Sequence, residues 1–377
     1  MPPSHRLLAV AAAGLLAATC AVAAVAGSGA SLRINQIQVI GTHNSYHAGL
    51  TPAVAKLLRA VDPKAFEGLD YSHGDLADQL DHGVRQVELD IFADAKGGRF
   101  AHPYGATLDP GGAAAFDPQG VMLKPGFKVM HVQDLDYVSN CQPFIACLST
   151  IRAWSRAHPR HLPIFVLVET KTQPPIPAVP GMAAPEPFTT AVLDALDAEI
   201  RSVFPAKERI TPDQVRGRHA TLPQAVADGG WPTLQAARGK LVFLLDQTNV
   251  TAPYVAGHPA LKGRVLFTNA APGEPDAAFV EENDGSPEVI AALVKAGYLV
   301  RTRSDADTKE GRSGDTAKRD AALRSGAQIV STDYPWYEPA RWTGYQVSLP
   351  GHAVARCNPV NAPSCADADL AGDRATR

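Results

Sequence analysis

Two carboxylates of the chain are spaced to share one face of a strand. Residues 86–92 alternate as a β-strand does, so Glu88 and Asp90 should point to the same side. Two carboxylates held together repel each other unless a cation neutralises them. The spacing therefore indicates a cation site, and the alternative is that both groups form salt bridges with arginines such as Arg85.

Three other short apolar segments, 37–40, 127–130 and 164–168, also end in polar residues. The residues that follow them, in the same order, are His43 with Asn44, His131, and Glu169. Polar side chains at the ends of four successive strands predict one shared site that contains a hard cation and two histidines.

His43 and His131 are the candidate acid–base pair. An internal hydroxyl can open a phosphodiester if one group removes its proton and another protonates the leaving oxygen. Histidine suits both roles because its ordinary pKa lies near neutrality. The alternative for either histidine is a surface or structural role.

The candidate cation ligands offer only oxygen donors. They are Asn44, Glu88, Asp90 and Glu169. This set suits Ca²⁺, with Mg²⁺ less favoured, rather than Zn²⁺. The cation would bind a phosphoryl oxygen and stabilise the charge that develops there.

Three cationic side chains are candidates for holding the phosphate or polyol hydroxyls of a substrate. Arg301 and Arg303 end the segment 298–303, and Lys171 lies two residues after Glu169. A structural salt bridge is the alternative for each. Asp305 and Asp307 lie among basic residues, which indicates a loop of mixed charge rather than a metal motif.

Eight apolar segments alternate with helix-like segments and predict a TIM-type (β/α)₈ barrel of the α/β class. The predicted strands are 37–40, 84–91, 127–130, 164–168, 240–245, 265–268, 298–302 and 328–332. The insertions 97–126, 173–187 and 269–286 should be long loops on the catalytic face. A doubly wound open sheet is the alternative, but no glycine-rich nucleotide turn follows the first strand.

The termini predict an exported protein, secreted or retained in the periplasm or cell envelope. Residues 1–26 are typical of a signal peptide, with a membrane anchor or a lipoprotein signal ending at Cys20 as alternatives. Residues 27–345 would form the barrel and 346–377 a C-terminal tail. Four cysteines remain and allow three pairings, of which the local ones, Cys141–Cys147 and Cys357–Cys365, are simplest.

The net charge of -3 offers no basic stripe for nucleic acid and no strong attraction to anionic membranes. A monomer is the expected oligomeric state.

The chain resembles the secreted bacterial calcium-dependent branch of the phosphatidylinositol-specific phospholipase C superfamily. The similar segments are 41–46 (GTHNSY), 87–90 (VELD), 129–131 (VMH), 167–169 (LVE), 301–305 (RTRSD) and 325–335. The resemblance covers roughly residues 35 to 340. It implies a TIM-type barrel, sometimes distorted, and cleavage between phosphate and diacylglycerol by the inositol 2-hydroxyl.

The resemblance also implies roles for individual residues. His43 would contact the phosphate and the 2-hydroxyl, and His131 would act on the leaving glycerol oxygen. The four oxygen-donor residues named above match the family's calcium ligands. The metal-independent relatives have an arginine at the calcium position, and Glu88-Leu89-Asp90 departs from that pattern. Transient contact with a membrane surface would come from loops of the barrel.

Three other functions are weighed against this one. A glycerophosphodiester phosphodiesterase also has two histidines and a Glu-x-Asp pair, but its first histidine lies in a His-Arg-Gly turn, whereas Asn44-Ser45 follows His43. A sphingomyelinase-D-like lyase is a more distant alternative. A secreted, non-catalytic binding protein on a degenerate barrel is disfavoured because no proposed catalytic position is missing.

Overall fold

The structure is a computed structural model that describes residues 32–365 and residue 370. The predicted signal segment, 1–26, lies outside the described residues. None of the helices in the described part of the chain combines the length and the apolar character that crossing a bilayer requires.

Eleven strands of the described part of the chain form one sheet. They are β1 (Ile37–Thr42), β2 (Gln86–Phe92), β3 (Lys128–Val129), β4 (Ile164–Thr170), β5 (Arg209–Ile210), β6 (Leu241–Leu245), β7 (Leu266–Thr268), β8 (Phe279–Glu281), β9 (Leu299–Arg303), β10 (Ile329–Thr332) and β11 (Ala355–Cys357).

Fourteen α-helices accompany the strands within residues 32–365. They are α1 (Pro52–Val61), α2 (Pro63–Gly68), α3 (Leu76–Asp81), α4 (Tyr104–Thr107), α5 (Gly112–Phe116), α6 (Phe144–Ala157), α7 (Thr190–Val203), α8 (Pro212–Arg216), α9 (Leu222–Ala227), α10 (Leu234–Ala237), α11 (Thr251–Val255), α12 (Pro287–Lys295), α13 (Lys309–Ser313) and α14 (Ala317–Ser325).

The strands form a curled, mostly parallel sheet, so the predicted TIM-barrel-like architecture is confirmed. The hydrogen-bonded order is β5-β6-β4-β2-β1-β10-β9-β8, with β7 on β6 as well. Every neighbouring pair along this path is parallel. A single parallel bridge, between Asn269 and Phe279, links the β7 and β8 ends among the described residues. Parallel strands place their carboxyl ends at one edge, where ligand sites of such folds lie.

Side-chain alternation divides strand residues between the core and the interior of the curled sheet. In β2, Val87, Leu89 and Ile91 belong to the main hydrophobic core. Glu88 and Asp90 are buried too; Glu88 contacts Arg301 of β9, and Asp90 contacts Lys171, the residue after β4. The period of two in an extended chain thus directs apolar groups to one side and carboxylates to the other.

The structure corrects three expectations about elements. Segment 127–130 contributes only the two-residue β3, which pairs antiparallel with β2 and is not a barrel strand. The insertion 269–286 contains the barrel strand β8, which its acidic and small residues concealed. The insertion 97–126 contains α4 and α5 rather than a loop without structure.

The C-terminal segment is integrated with the sheet. β11 pairs antiparallel with the first half of β1, from Ile37 to Val39. The disulfide Cys357–Cys365 follows directly, and Cys141–Cys147 closes the second short loop, as predicted. The division at residue 345 stays a prediction.

Candidate active site

Carboxylates converge at the carboxyl ends of neighbouring strands. Glu88 and Asp90 lie in β2, and the β2–β4 ladder pairs Asp90 with Glu169. The register of the β4–β6 ladder places Asp246 beside Glu169. Oxygen atoms of Glu88, Glu169 and Asp246 lie within 4.8 Å of one another. Two of these three residues, Glu88 and Glu169, were predicted from the sequence.

Lys171 provides a positive charge within this group. Its Nζ lies 2.9 Å from Glu169 Oε1 and 2.9 Å from Asp90 Oδ2. Burial opposes protonation of Lys171, but the two carboxylates outweigh it and raise the Lys171 pKa. Neither Asp90 oxygen accepts a well-aligned hydrogen bond from the described residues. Lys171 therefore compensates the charge of Asp90 but leaves the Asp90 oxygens able to accept further hydrogen bonds or to bind a cation.

Arg301 is the second internal cation. Its Nη2 donates to Glu88 Oε2 at 2.6 Å, and its Nη1 donates to Asn283 Oδ1 at 2.8 Å and to Glu281 Oε2 at 3.3 Å. Arg301 is 2% exposed. The guanidinium therefore pairs with carboxylates of the site instead of reaching into the open cavity.

The remaining charge of the cluster fits a divalent cation. Five carboxylates surround two cationic side chains, so full ionisation would leave an excess of three negative charges. The carboxylates are Glu88, Asp90, Glu169, Asp246 and Glu281, and the cations are Lys171 and Arg301.

The pKa values of two members express this repulsion. Burial raises the pKa of Glu88 to about 7. Arg301 opposes this rise, and Asp246 and Glu169 add to it. Burial, together with Glu169, raises the pKa of Asp90 well above its usual range. An oxygen-rich site with excess negative charge is the kind of site that Ca²⁺ binds.

Asn44 lies in the turn after β1 with a left-handed backbone, at φ 48°. Its Nδ2 donates to the Tyr71 hydroxyl at 2.8 Å, and its Oδ1 accepts from the Tyr46 hydroxyl at 3.5 Å. The next residue, Ser45, exchanges hydrogen bonds with the backbone of Glu88 through its N–H and its Oγ. These bonds hold the β1 turn against β2, next to the carboxylates.

His43 follows β1 and is held on both sides of its ring. Its Nδ1 lies 2.7 Å from Asp333 Oδ1, and its Nε2 lies 3.1 Å from Arg303 Nη1. Because Arg303 can only donate, Nε2 is the acceptor and Nδ1 carries the proton. Burial, with Arg303 and Arg301, lowers the pKa of His43 well below its usual value. The ring is thus a neutral base whose Nε2 lies 3.7 Å from Glu88 Oε1.

His131 is held by one carboxylate. Its Nδ1 donates to Asp136 Oδ2 at 3.0 Å, which leaves Nε2 for a substrate. Burial lowers the pKa of His131 against the opposing effect of Asp136. Asp136 also bonds the buried His47 at 2.9 Å. Burial would raise the pKa of Asp136, but His47 and His131 outweigh it and hold that pKa far below its usual range.

Both histidines line one cavity of about 600 Å³. Tyr71, Arg303 and Asp333 contribute to the same wall. The two imidazoles therefore face a common space beside the carboxylate cluster, which is the arrangement that acid–base cleavage of a phosphodiester requires.

The sequence alone did not single out several residues of the site. Asp246 directly follows β6, and Glu169 is the next-to-last residue of β4, so the rule of polar residues at strand ends could have found Asp246. Asp333 follows β10 and could have been found in the same way. Asp136 and His47 lie in isolated β-bridges beside turns and carried no periodic signal.

The family model for Ca²⁺-dependent phosphoinositide phospholipase C matches residues 32–359 of the chain. No curated protein sequence matches the chain significantly. The match therefore covers nearly all the described residues.

Solved structures of two bacterial enzymes are similar in fold. One is a calcium-dependent phosphoinositol-specific phospholipase C from a Pseudomonas species, with 15% identity, a TM-score of 0.53, and coverage of 87% of this chain and 96% of that one. The other is a Ca²⁺-dependent phosphatidylinositol-specific phospholipase C from Streptomyces antibioticus, with 22% identity, a TM-score of 0.51, and coverage of 80% and 95%.

Proposed function

The chain belongs to the Ca²⁺-dependent phosphoinositide phospholipase C family, a family of phosphodiesterases, and on this premise we propose that it cleaves phosphatidylinositol. The inositol 2-hydroxyl attacks the phosphorus and the bond from phosphate to diacylglycerol breaks. The products are diacylglycerol and a cyclic inositol phosphate, which attack by water on the phosphorus opens to a linear inositol phosphate. The observation that carries the proposal is the pair His43 and His131, each held at Nδ1 by a carboxylate and both facing one cavity.

His43 is the proposed base. Its Nε2 accepts, while Asp333 holds the Nδ1 proton and stabilises the imidazolium that forms. Its lowered pKa keeps it neutral and able to accept a proton at neutral pH. Arg303, 3.1 Å from Nε2, is in position to bind the phosphate once the 2-hydroxyl occupies the acceptor.

His131 is the proposed acid for the leaving glycerol oxygen. In its charged form Nε2 carries the proton to be donated, and Asp136 stabilises that form through Nδ1. Because burial lowers the pKa of His131, Asp136 is needed to keep the protonated form accessible. His43 thus takes a proton from the inositol 2-hydroxyl, and His131 gives a proton to the leaving glycerol oxygen.

The oxygen ligands proposed for Ca²⁺ are Asn44, Glu88, Asp90 and Glu169. When bound, the cation would stabilise negative charge on the phosphoryl oxygen and favour ionisation of the 2-hydroxyl. Lys171 and Arg301 hold the carboxylates in place, and the charge of Lys171 would also attract a phosphate that binds at the end of β4. The family's calcium dependence and the excess of negative charge support this assignment.

The substrate is a lipid, so we propose transient contact with a membrane through loops at the carboxyl ends of the strands. Three exposed apolar side chains lie on these loops: Val61 after β1, Leu123 after β2 and Ile176 after β4. Val61 immediately precedes Asp62, which lines the cavity of the site. Secretion as a monomer completes the proposal, and both disulfides are consistent with an oxidising compartment.

The test is cleavage of phosphatidylinositol in mixed micelles, with calcium and with a chelator, followed by phosphorus NMR of the water-soluble product. We expect calcium-dependent release of an inositol phosphate. Water-soluble glycerophosphoinositol and sphingomyelin serve as competing substrates. Faster turnover of either one, or calcium and inositol phosphate binding without turnover, would contradict the proposal.

A further inference from the structure

The carboxylate of Asp246 lies at the proposed cation site, although Asp246 is not part of the Glu-x-Asp pattern. It directly follows β6, and its backbone N–H donates to Val168 O at 3.1 Å, which fixes it beside Glu169. The oxygen atoms that come within 4.8 Å of one another belong to Glu88, Glu169 and Asp246. Asp90 lies outside this group of three, and Lys171 contacts both Asp90 and Glu169 at 2.9 Å.

A second observation comes from Glu281 on β8. Glu281 lies within hydrogen-bonding reach of Asp246, and its Oε1 is buried without a hydrogen-bond donor among the described residues. Its side chain is 4% exposed. Two carboxylates in contact need a proton or a cation between them. Arg301 donates to Oε2 of Glu281, so the second oxygen of this carboxylate is left for a cation or a proton.

We propose that Asp246 is a direct ligand of the calcium ion, together with Glu88 and Glu169. The inference rests on the proposed function, since it concerns the same cation. Asp246 adds a ligand from a fourth strand, β6, to those contributed by β2, β4 and the turn after β1. Arg301 pairs with both Glu281 and Glu88 and would hold these carboxylates beside the ion.

The alternative is that Asp246 and Glu281 share a proton and have no role in metal binding. The two cases differ in calcium affinity. A ligand contributes its charge and an oxygen to the ion, so replacing it with an amide weakens binding. A carboxyl pair that shares a proton makes no contact with calcium, so its loss leaves the calcium Kd unchanged.

The experiment is calorimetric titration of calcium into the metal-free protein and its Asp246→Asn variant, with no substrate present. We expect the Kd to rise at least about tenfold in the variant. Asp197→Asn is the matched control, because Asp197 is a buried carboxylate on α7 that bonds Tyr254 and Arg264 outside the cluster. Its calcium Kd should match that of the wild type.

A folded Asp246→Asn protein with unchanged calcium affinity overturns the inference. If asparagine disturbs the fold, Asp246→Ser is titrated instead and must lose affinity to the same degree. Phosphatidylinositol cleavage is measured on the same preparations. If the wild type cleaves the lipid and Asp246→Asn binds calcium as tightly as the wild type does, only the Asp246 assignment is rejected. If the variant loses calcium affinity but the wild type does not cleave the lipid, only the lipid substrate is rejected. A wild type that binds no calcium overturns the Asp246 assignment and the proposed cation together.

Discussion

Asp136 joins His131 to a second, fully buried histidine, His47, through one carboxylate. Its Oδ2 accepts from His131 Nδ1 at 3.0 Å, and its Oδ1 lies 2.9 Å from His47 Nε2. His47 is buried away from the cavity, whereas His131 lines it. The buried histidine therefore fixes the carboxylate, and the carboxylate fixes the imidazole that faces the substrate.

Asp136→Asn should show whether Asp136 supports the chemistry at His131 or the binding of substrate. The amide can still contact both rings but cannot stabilise an imidazolium at His131, so kcat for phosphatidylinositol should fall roughly 10²-fold with little change in KM. The alkaline limb of the kcat–pH profile should also move to lower pH, because the pKa of the acid His131 falls without the carboxylate. Steady-state kinetics across the neutral pH range measures both effects. A rise in KM alone would show that Asp136 acts on substrate binding instead.

His43→Ala and His131→Ala should each lower kcat by about 10²- to 10⁴-fold while the fold persists. The double variant should be little worse than either single one, because the two groups act as a unit in the same cleavage step. Circular dichroism and activity are compared with His158→Ala, which removes a half-exposed histidine that caps α6. Activity within about tenfold of the wild type in either single variant would remove that residue from the mechanism.

Calcium should raise the unfolding temperature of the protein. Because the ion relieves repulsion among the carboxylates only in the folded state, a calcium concentration about one hundred times Kd should add ~2.7 kcal/mol to the free energy of unfolding. Differential scanning calorimetry in calcium and in EGTA measures the shift. Glu88→Gln should reduce it, since it removes a proposed ligand. An equal shift of the unfolding temperature in the wild type and the variant would show that Glu88 does not bind the ion.

The stability of the metal-free protein should depend on pH through Glu88. Its pKa is raised from 4.5 to about 7 on folding, so the folded state holds a proton that the unfolded state has lost between these values. Stability contributed by Glu88 is therefore present below pH 4.5 and is lost as the pH rises to about 7. The difference in unfolding free energy between wild type and Glu88→Gln isolates this contribution from that of the histidines. A difference that stays constant from pH 4.5 to about 7 would contradict the raised pKa.

The two disulfides should stabilise the protein by similar amounts. Each closes a short loop, with sequence separations of 6 and 8, which corresponds to about 2–3 kcal/mol of loop-closure entropy. Cys141→Ser/Cys147→Ser and Cys357→Ser/Cys365→Ser should each lose about this much in urea unfolding. The second pair should also loosen β11 from β1, which amide exchange at residues 37–39 would report.

The sequence determined the main strands and the residues that they present. β1, β2, β4, β6 and β10 are apolar runs or alternating runs whose periodicity is local, so Glu88, Asp90, His43 and Glu169 could be placed at strand ends without coordinates. It also supported the local disulfides, since each pair needs only a short loop to close.

The tertiary structure decided which groups meet. β8 escaped prediction because it is three residues long and lies among acidic and small residues, so its strand conformation comes from pairing with β9. The partnership of Lys171 with Asp90, of Arg301 with Glu88 and of Asp136 with two histidines depends on the register between strands and on the packing of turns far apart in the chain. Register and turn packing are long-range properties, and no local pattern carries them.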